Sequence, residues 1–113
     1  MNVLFCLAQV HDVAAVLVKR FIWLVTGILI GGENRHHEKQ RLRRGVLIVV
    51  STPGRLLDHL QSTTSFLTDS LKWLVLDEAD RLMDMGFEHS VTQILDLLEE
   101  RSGDSDSRRY ACQ

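Results

Sequence analysis

Proline occurs once in this 113-residue sequence, cysteine twice, and a Gly-Lys dipeptide not at all. With 45% apolar and 25% charged residues, a single proline fits a packed globular chain and excludes a disordered tail. Cys6 and Cys112 stand near opposite ends without a CxxC pair, so no disulfide framework is expected and a reduced intracellular compartment is the default. The longest apolar stretch, Phe21 to Ile30, falls well short of the roughly 20 residues a spanning helix needs, so no contact with a membrane is expected. Met1 to Ala8 lacks a positive leader and a small-residue cleavage site, and reads as no signal peptide. An excess of positive charge is missing as well. Thirteen Lys and Arg face fifteen Asp and Glu, so any surface attractive to nucleic acid must be local. His11, His36, His37, His59 and His89 show no ligand spacing, which argues against structural zinc.

The patterning alternates strands and helices. Val10, Val13, Ala14 and Leu17 recur at helical spacing, so Ala8 to Lys19 is expected to be an amphipathic helix, with Lys19 and Arg20 at its C-terminal end. Phe21 to Ile30 reads as a buried strand running into Gly31-Gly32. Asn34 is placed to cap a polar helix that Gly45 ends. Val46 to Val50, five aliphatic residues in a row, predicts a strand covered on both faces. Ser51 and Thr52 offer cap-type hydroxyls before Pro53, which suits a first helical turn, so Pro53 to Leu60 should be helical. Gln61 to Thr68 is loop-like, and Trp73 to Leu76 is a further strand ending at Asp77. Helices are expected at Asp80 to Met85 and, beyond Gly86, at Phe87 to Glu100, where Val91, Ile94, Leu95 and Leu98 share a face; Arg101 to Arg109 reads as a loop. This order defines an α/β class with a mostly parallel sheet flanked by helices. No internal repeat is present.

Chemistry concentrates where the strand Leu74-Val75-Leu76 delivers Asp77-Glu78-Ala79-Asp80. Ligands of open α/β sheets bind beyond the carboxyl ends of the strands. An aspartate there can hold magnesium through water, and the adjacent glutamate can orient or deprotonate an attacking water. A generic Asp-Glu pair would more often be an acidic helix start favoured by the local dipole. In isolation, Thr52-Pro53-Gly54 likewise reads as a helix cap and Gly31-Gly32 as a turn. The cluster Arg35, Lys39, Arg41, Arg43 and Arg44 favours a solvated helix over an RNA-touching one, and Trp73 favours core or interface packing over base stacking.

The run Asp77-Glu78-Ala79-Asp80-Arg81-Leu82-Met83-Asp84-Met85-Gly86-Phe87 resembles motif II of DEAD-box ATP-dependent RNA helicases with its usual continuation. Ser51-Thr52-Pro53-Gly54-Arg55-Leu56 resembles motif Ib of that family, and Gly31-Gly32 matches its glycine doublet, in the family's order. The similarity covers roughly Gln9 to Glu100. Trp23, Gly31-Gly32-Glu33 and Leu42-Arg43-Arg44-Gly45 are most similar to the nucleolar branch involved in large ribosomal subunit assembly.

The resemblance implies that residues 1–113 form part of the first RecA-like, ATP-binding domain. It implies ATP and Mg2+ as cofactors, RNA as partner, and a nuclear or nucleolar setting with contacts to pre-ribosomal particles and to a second RecA-like domain. Asp77 and Glu78 would serve magnesium and the hydrolytic water, and Asp80 would link nucleotide state to the other motifs. Thr52, Pro53, Gly54 and Arg55 would face the RNA backbone, with Gly31 and Gly32 beside them. Departures accompany the match. The phosphate-cradling G-x-x-x-x-G-K-[ST] loop is absent from these residues, as are the glutamine motif and the Ser-Ala-Thr motif, and Leu7-Ala8-Gln9 echoes only the tail of motif Ia. The 113-residue chain alone is therefore expected to be inactive. The alternative is a non-catalytic RNA- or protein-binding remnant of such a domain.

Overall fold

The computed structural model describes residues 3–6, 10–102 and 109–112. In chain order the elements are β1 (Val3–Cys6), α1 (Val10–Arg20), β2 (Thr26–Leu29), α2 (Arg35–Arg44) and β3 (Ile48–Ser51), followed by α3 (Pro53–Ser62), β4 (Trp73–Leu76), α4 (Ala79–Asp84), α5 (Glu88–Arg101) and β5 (Arg109–Cys112). The strands form one sheet in the order β2-β3-β1-β4-β5, and every neighbouring pair is parallel. From β1 the chain moves to β2 at one edge, then reverses and steps back across the sheet. Because parallel crossovers are right-handed, that reversal puts α1 on one face and α2, α3 and α5 on the other.

The five-aliphatic run forms a strand only in its second half, since β3 takes Ile48 to Val50 from it and adds Ser51. Val49 and Val50 point to opposite faces of β3 and both are fully buried. Leu29, Val49 and Leu74 from three strands meet Leu56 and Leu60 of α3 and Ile94 and Leu98 of α5 in one core, where α3 packs on α5. Asn34 Oδ1 accepts from the His36 amide at 2.9 Å to start α2, and Gly45, at φ 84°, ends it. α5 extends to Arg101, whose guanidinium donates to the carbonyls of Leu60 and Phe66 and ties the helix end to the loop after α3.

Several expectations are corrected. Phe21 to Ile30 is not one buried strand. The Phe21 amide bonds to the Leu17 and Val18 carbonyls, the Leu24 amide bonds to Phe21, and only Thr26–Leu29 pairs in the sheet. The first half of the run is spent on the end of α1 and a turn, leaving Ile22 92% and Trp23 67% exposed. On α1, Val13, Val16 and Leu17 are exposed. Trp73 opens β4 at 41% exposure, which removes the core half of its expected core-or-interface packing and leaves the interface half. Inside the leading apolar run, Val3–Cys6 is the middle strand of the sheet, between β3 and β4. The loop expected over Arg101 to Arg109 is bounded by α5 and β5, which take both of its end residues. Ala8 and Gln9 at the expected helix start, the motif Ia echo at residues 7–9, and residues 103–108 lie outside the described residues.

Candidate functional site

Parallel strands end on the same edge, so the sheet gathers the motifs there. β2 runs into Gly31-Gly32, β3 into Thr52, and β4 into Asp77. β2 and β3 are neighbours, and the Thr52 amide donates to the Leu29 carbonyl at 3.2 Å, which sets the glycine doublet beside the Thr52 segment. The acidic stretch follows β4, two strands across from β3, or roughly 10 Å by ordinary strand spacing.

Gly31, Gly32, Thr52, Gly54, Arg55 and Asp58 line one open concavity of ≈ 470 Å³. The glycines differ in what they need. Gly32, at φ 97°, lies where side chains are strained. Gly31 and Gly54 have no positive φ, and a Cβ at either would meet no atom within 4 Å. The fold itself would accept a side chain at both positions, although both line the concavity.

Neither expected hydroxyl caps α3. Ser51 Oγ donates within 2.9 Å of the Leu29 and Thr52 carbonyls, and the Thr52 side chain makes no cap bond. The start of α3 is set by Pro53, which is buried and is not among the residues that line the concavity, and next to it Gly54 is exposed. First-turn amides with no side-chain cap suit an anion.

Arg55 is not a free cation. Its side chain is 17% exposed, its guanidinium donates to the Glu33 carbonyl at 2.9 Å, and its Nε lies 3.1 Å from Glu38 Oε2 without the alignment of a hydrogen bond. Asp58 Oδ2 is 3.9 Å away. Glu38 is fully buried, and the same Oε2 stands 2.7 Å from Nε2 of the equally buried His59, whose Nδ1 is 2.9 Å from Thr63 Oγ1. Sequence reasoning missed Glu38 and His59. The available signals were that Glu38 is the lone acid of α2, four residues before its lone aliphatic Leu42, and that His59 follows Arg55 by four on α3. The basic cluster of α2 also divides, because Arg35 pairs with Asp58 at 2.6 Å and Arg41 pairs with the Glu33 carboxylate and the Ile28 carbonyl. Arg43 and Arg44 remain exposed.

At β4, Asp77 Oδ1 accepts from the Glu78 amide at 3.0 Å. Glu78 adopts φ 50°, ψ 47°, and is the one non-glycine residue with positive φ among the described residues. Such a conformation costs about 1–3 kcal/mol and persists where surroundings enforce it, commonly at working sites. Its carboxylate is exposed, with Arg81 at 3.3 Å, a surface pair of small worth. Asp80 is exposed in the first turn of α4. No described group of three or more His, Cys, Asp or Glu side chains could enclose a metal ion. No described helix is long and apolar enough to cross a membrane.

A strained acidic turn and a glycine-lined concavity thus lie on one edge of a parallel α/β sheet. The model of the DEAD/DEAH box helicases matches residues 7–111, and the chain belongs to that family. It is 61% identical over 95 residues to the ATP-dependent RNA helicase DBP7 of Mycosarcoma maydis, covering 84% of this chain and 9% of that protein. It is 55% identical over 94 residues to the ATP-dependent DNA helicase DDX31 of Dictyostelium discoideum, covering 83% and 10%. The chain thus spans about a tenth of the length of these relatives. Among solved structures, yeast Prp28, a DEAD-box splicing factor, superposes with a TM-score of 0.84 at 27% identity over 98% of this chain and 26% of its own. Mss116p bound to ssRNA and AMP-PNP gives 0.83 at 25% identity, covering 98% and 24%. The fold is that of a RecA-like DEAD-box domain.

Proposed function

We propose that this chain is part of the first motor domain of an ATP-dependent RNA helicase, contributing an RNA-backbone surface and the water-activating end of the ATP site. The observation that carries the reading is the pair Gly31 and Gly54: glycine where backbone geometry and packing do not demand it, on the wall of a concavity. Glycine in such places lets a ligand approach the backbone closely. Phosphate oxygens accept from main-chain N–H groups and helix starts, contacts that hold RNA without reading its sequence. Gly31, Gly32, Thr52 and Gly54 form this surface, Pro53 starts the helix that presents it, and Arg55 completes its wall.

Asp77, Glu78 and Asp80 form the catalytic end. With one Asp77 oxygen committed to the Glu78 amide, the carboxylate keeps further lone pairs for the water shell of a magnesium ion. An ion held mainly by water and phosphate fits a turn with no three-ligand cluster. When bound, Mg2+ neutralises charge on the ATP phosphates. Glu78 orients the attacking water, and Asp80 sits one helical turn on, placed to connect the turn with neighbouring motifs. In a complete helicase of this family the phosphate loop and a second RecA-like domain would complete the site.

The setting we propose is nucleolar, with pre-ribosomal particles as the RNA substrate, on the resemblance of Trp23, Glu33 and Leu42 to Gly45 to that branch. Because the relatives' names divide between RNA and DNA helicases, the test compares both nucleic acids. Fluorescence anisotropy on the full-length protein with labelled single strands should show RNA bound more tightly than DNA, with the preference increased by a non-hydrolysable ATP analogue. Equal affinity for the two, indifferent to nucleotide, would refute it in favour of a non-catalytic binding remnant.

A further inference from the structure

Two arginines converge on the loop that follows the glycine doublet. Arg41 of α2 holds the Glu33 carboxylate, and Arg55 of α3 holds the Glu33 carbonyl at 2.9 Å. Behind Arg55 stands the fully buried Glu38, within 3.1 Å of Nε. Burying a carboxylate costs several kcal/mol unless it is paired, and Glu38 is paired twice by one oxygen, to Arg55 and to His59. Its Oε1 has no hydrogen-bond partner among the described residues. His59 is oriented from its far side by Thr63 at 2.9 Å. The chain Thr63–His59–Glu38–Arg55–Glu33 therefore runs from the buried C-cap of α3, through α2, to the backbone beside Gly31-Gly32.

We propose that Arg55 is a positioning residue, a brace that fixes the glycine-doublet loop against the first turn of α3, and that Glu38, aimed by His59, is the buried counter-ion that holds the brace in place. This deepens the reading of the concavity as an RNA-backbone surface and rests on it. The guanidinium spans the seam between the two walls, so the main-chain groups of Gly31, Gly32 and Gly54 are held at a fixed spacing before any ligand arrives. Arginine suits the task because its planar fork can engage the Glu33 carbonyl and the Glu38 carboxylate together, which a lysine ammonium on a flexible stem cannot reproduce.

The alternative, Arg55 as a direct phosphate ligand, predicts the opposite response to neutralising Glu38. Removing a carboxylate that competes for the arginine would strengthen RNA binding, whereas removing the anchor of a brace weakens it. The experiment measures affinity of the full-length protein for several unrelated single-stranded RNAs across a salt series, with thermal melts in parallel. Glu38→Gln, which keeps the shape and the acceptor for His59, should weaken all the RNAs by roughly tenfold, the equivalent of one lost hydrogen bond to a charged group. The salt slope should stay unchanged, because no phosphate contact carrying charge is lost. Arg55→Lys, which keeps the positive charge and does not depend on Glu38→Gln folding, should weaken binding similarly. Tighter binding in Glu38→Gln, or wild-type affinity in Arg55→Lys, would overturn the proposal. So would a lowered melting temperature with unchanged affinity of the folded protein, the mark of a purely structural cluster. Gly54→Ala separates the two levels: if it weakens RNA binding while Glu38→Gln and Arg55→Lys do not, the brace falls and the RNA surface stands, and if the wild-type protein binds no RNA, both fall.

Discussion

Replacing Gly54 with Ala should make the domain more stable and worse at binding RNA. Gly54 is the second residue of α3, has no positive φ, and its missing Cβ would meet no atom within 4 Å. Glycine to alanine at a compatible position stabilises by about 0.4–1 kcal/mol, mainly by restricting the unfolded chain. For a domain of a few hundred residues this raises the melting temperature by about 1–4 °C. The same methyl would project into the concavity shared with Gly31, Gly32 and Thr52. If it displaces one phosphate from a main-chain N–H, the loss is that of a hydrogen bond to a charged group, about 1.5–3 kcal/mol. Affinity should fall roughly 10- to 100-fold, by similar factors for unrelated sequences, because backbone contacts carry no base code. Differential scanning fluorimetry and RNA anisotropy on the same preparation read both effects. A stabilised variant with unaltered RNA affinity would refute the reasoning, since the glycine would then serve neither the fold nor a ligand.

Other consequences can be checked alongside. Glu78→Gln should stop ATP turnover while largely preserving RNA affinity if, as proposed, the carboxylate acts on the attacking water; equal loss of both would count against that role. Glu78→Gly should also stop turnover but raise the melting temperature, since glycine removes a left-handed strain of about 1–2 kcal/mol; a lower melting temperature would show that φ 50° is not strained there. Leu98→Ala, in a fully buried position between α5 and α3, should cost about 2–5 kcal/mol in chemical denaturation. The 113-residue chain by itself should hydrolyse no labelled ATP, because it contains no Gly-Lys phosphate loop, and turnover abolished by Glu78→Gln would contradict this.

Elements with strong local signals could be read from the sequence. Asn34 and Gly45 bracket α2, Pro53 starts α3, and Val49 and Val50 bury on both faces as their unbroken aliphatic run implies. Elements defined by long-range pairing could not. Residues 3–6 read only as an apolar run, and nothing local says that this is the central strand; that follows from β3 and β4 pairing on either side of it. Phe21, Ile22 and Trp23 misled in the other direction, because aromatic and β-branched composition looks buried while the backbone there finishes a helix and turns. At the site, the glycines and the acidic turn were legible as motifs. The commitment of Arg55 was hidden, because its partners Glu33 and Glu38 lie 22 and 17 residues earlier and meet it only when α2 lies beside α3. A charge count of α2 sees an exposed basic helix. The structure ties Arg35 and Arg41 into ion pairs within the chain and buries its one acid.

The measurement that bears most directly on the account is ATP turnover by the full-length protein with and without RNA. Slow basal hydrolysis is expected, stimulated by single-stranded RNA, stimulated less by DNA, and abolished by Glu78→Gln under every condition. Turnover indifferent to RNA, or surviving Glu78→Gln, would contradict the assignment of these residues to an RNA-dependent motor.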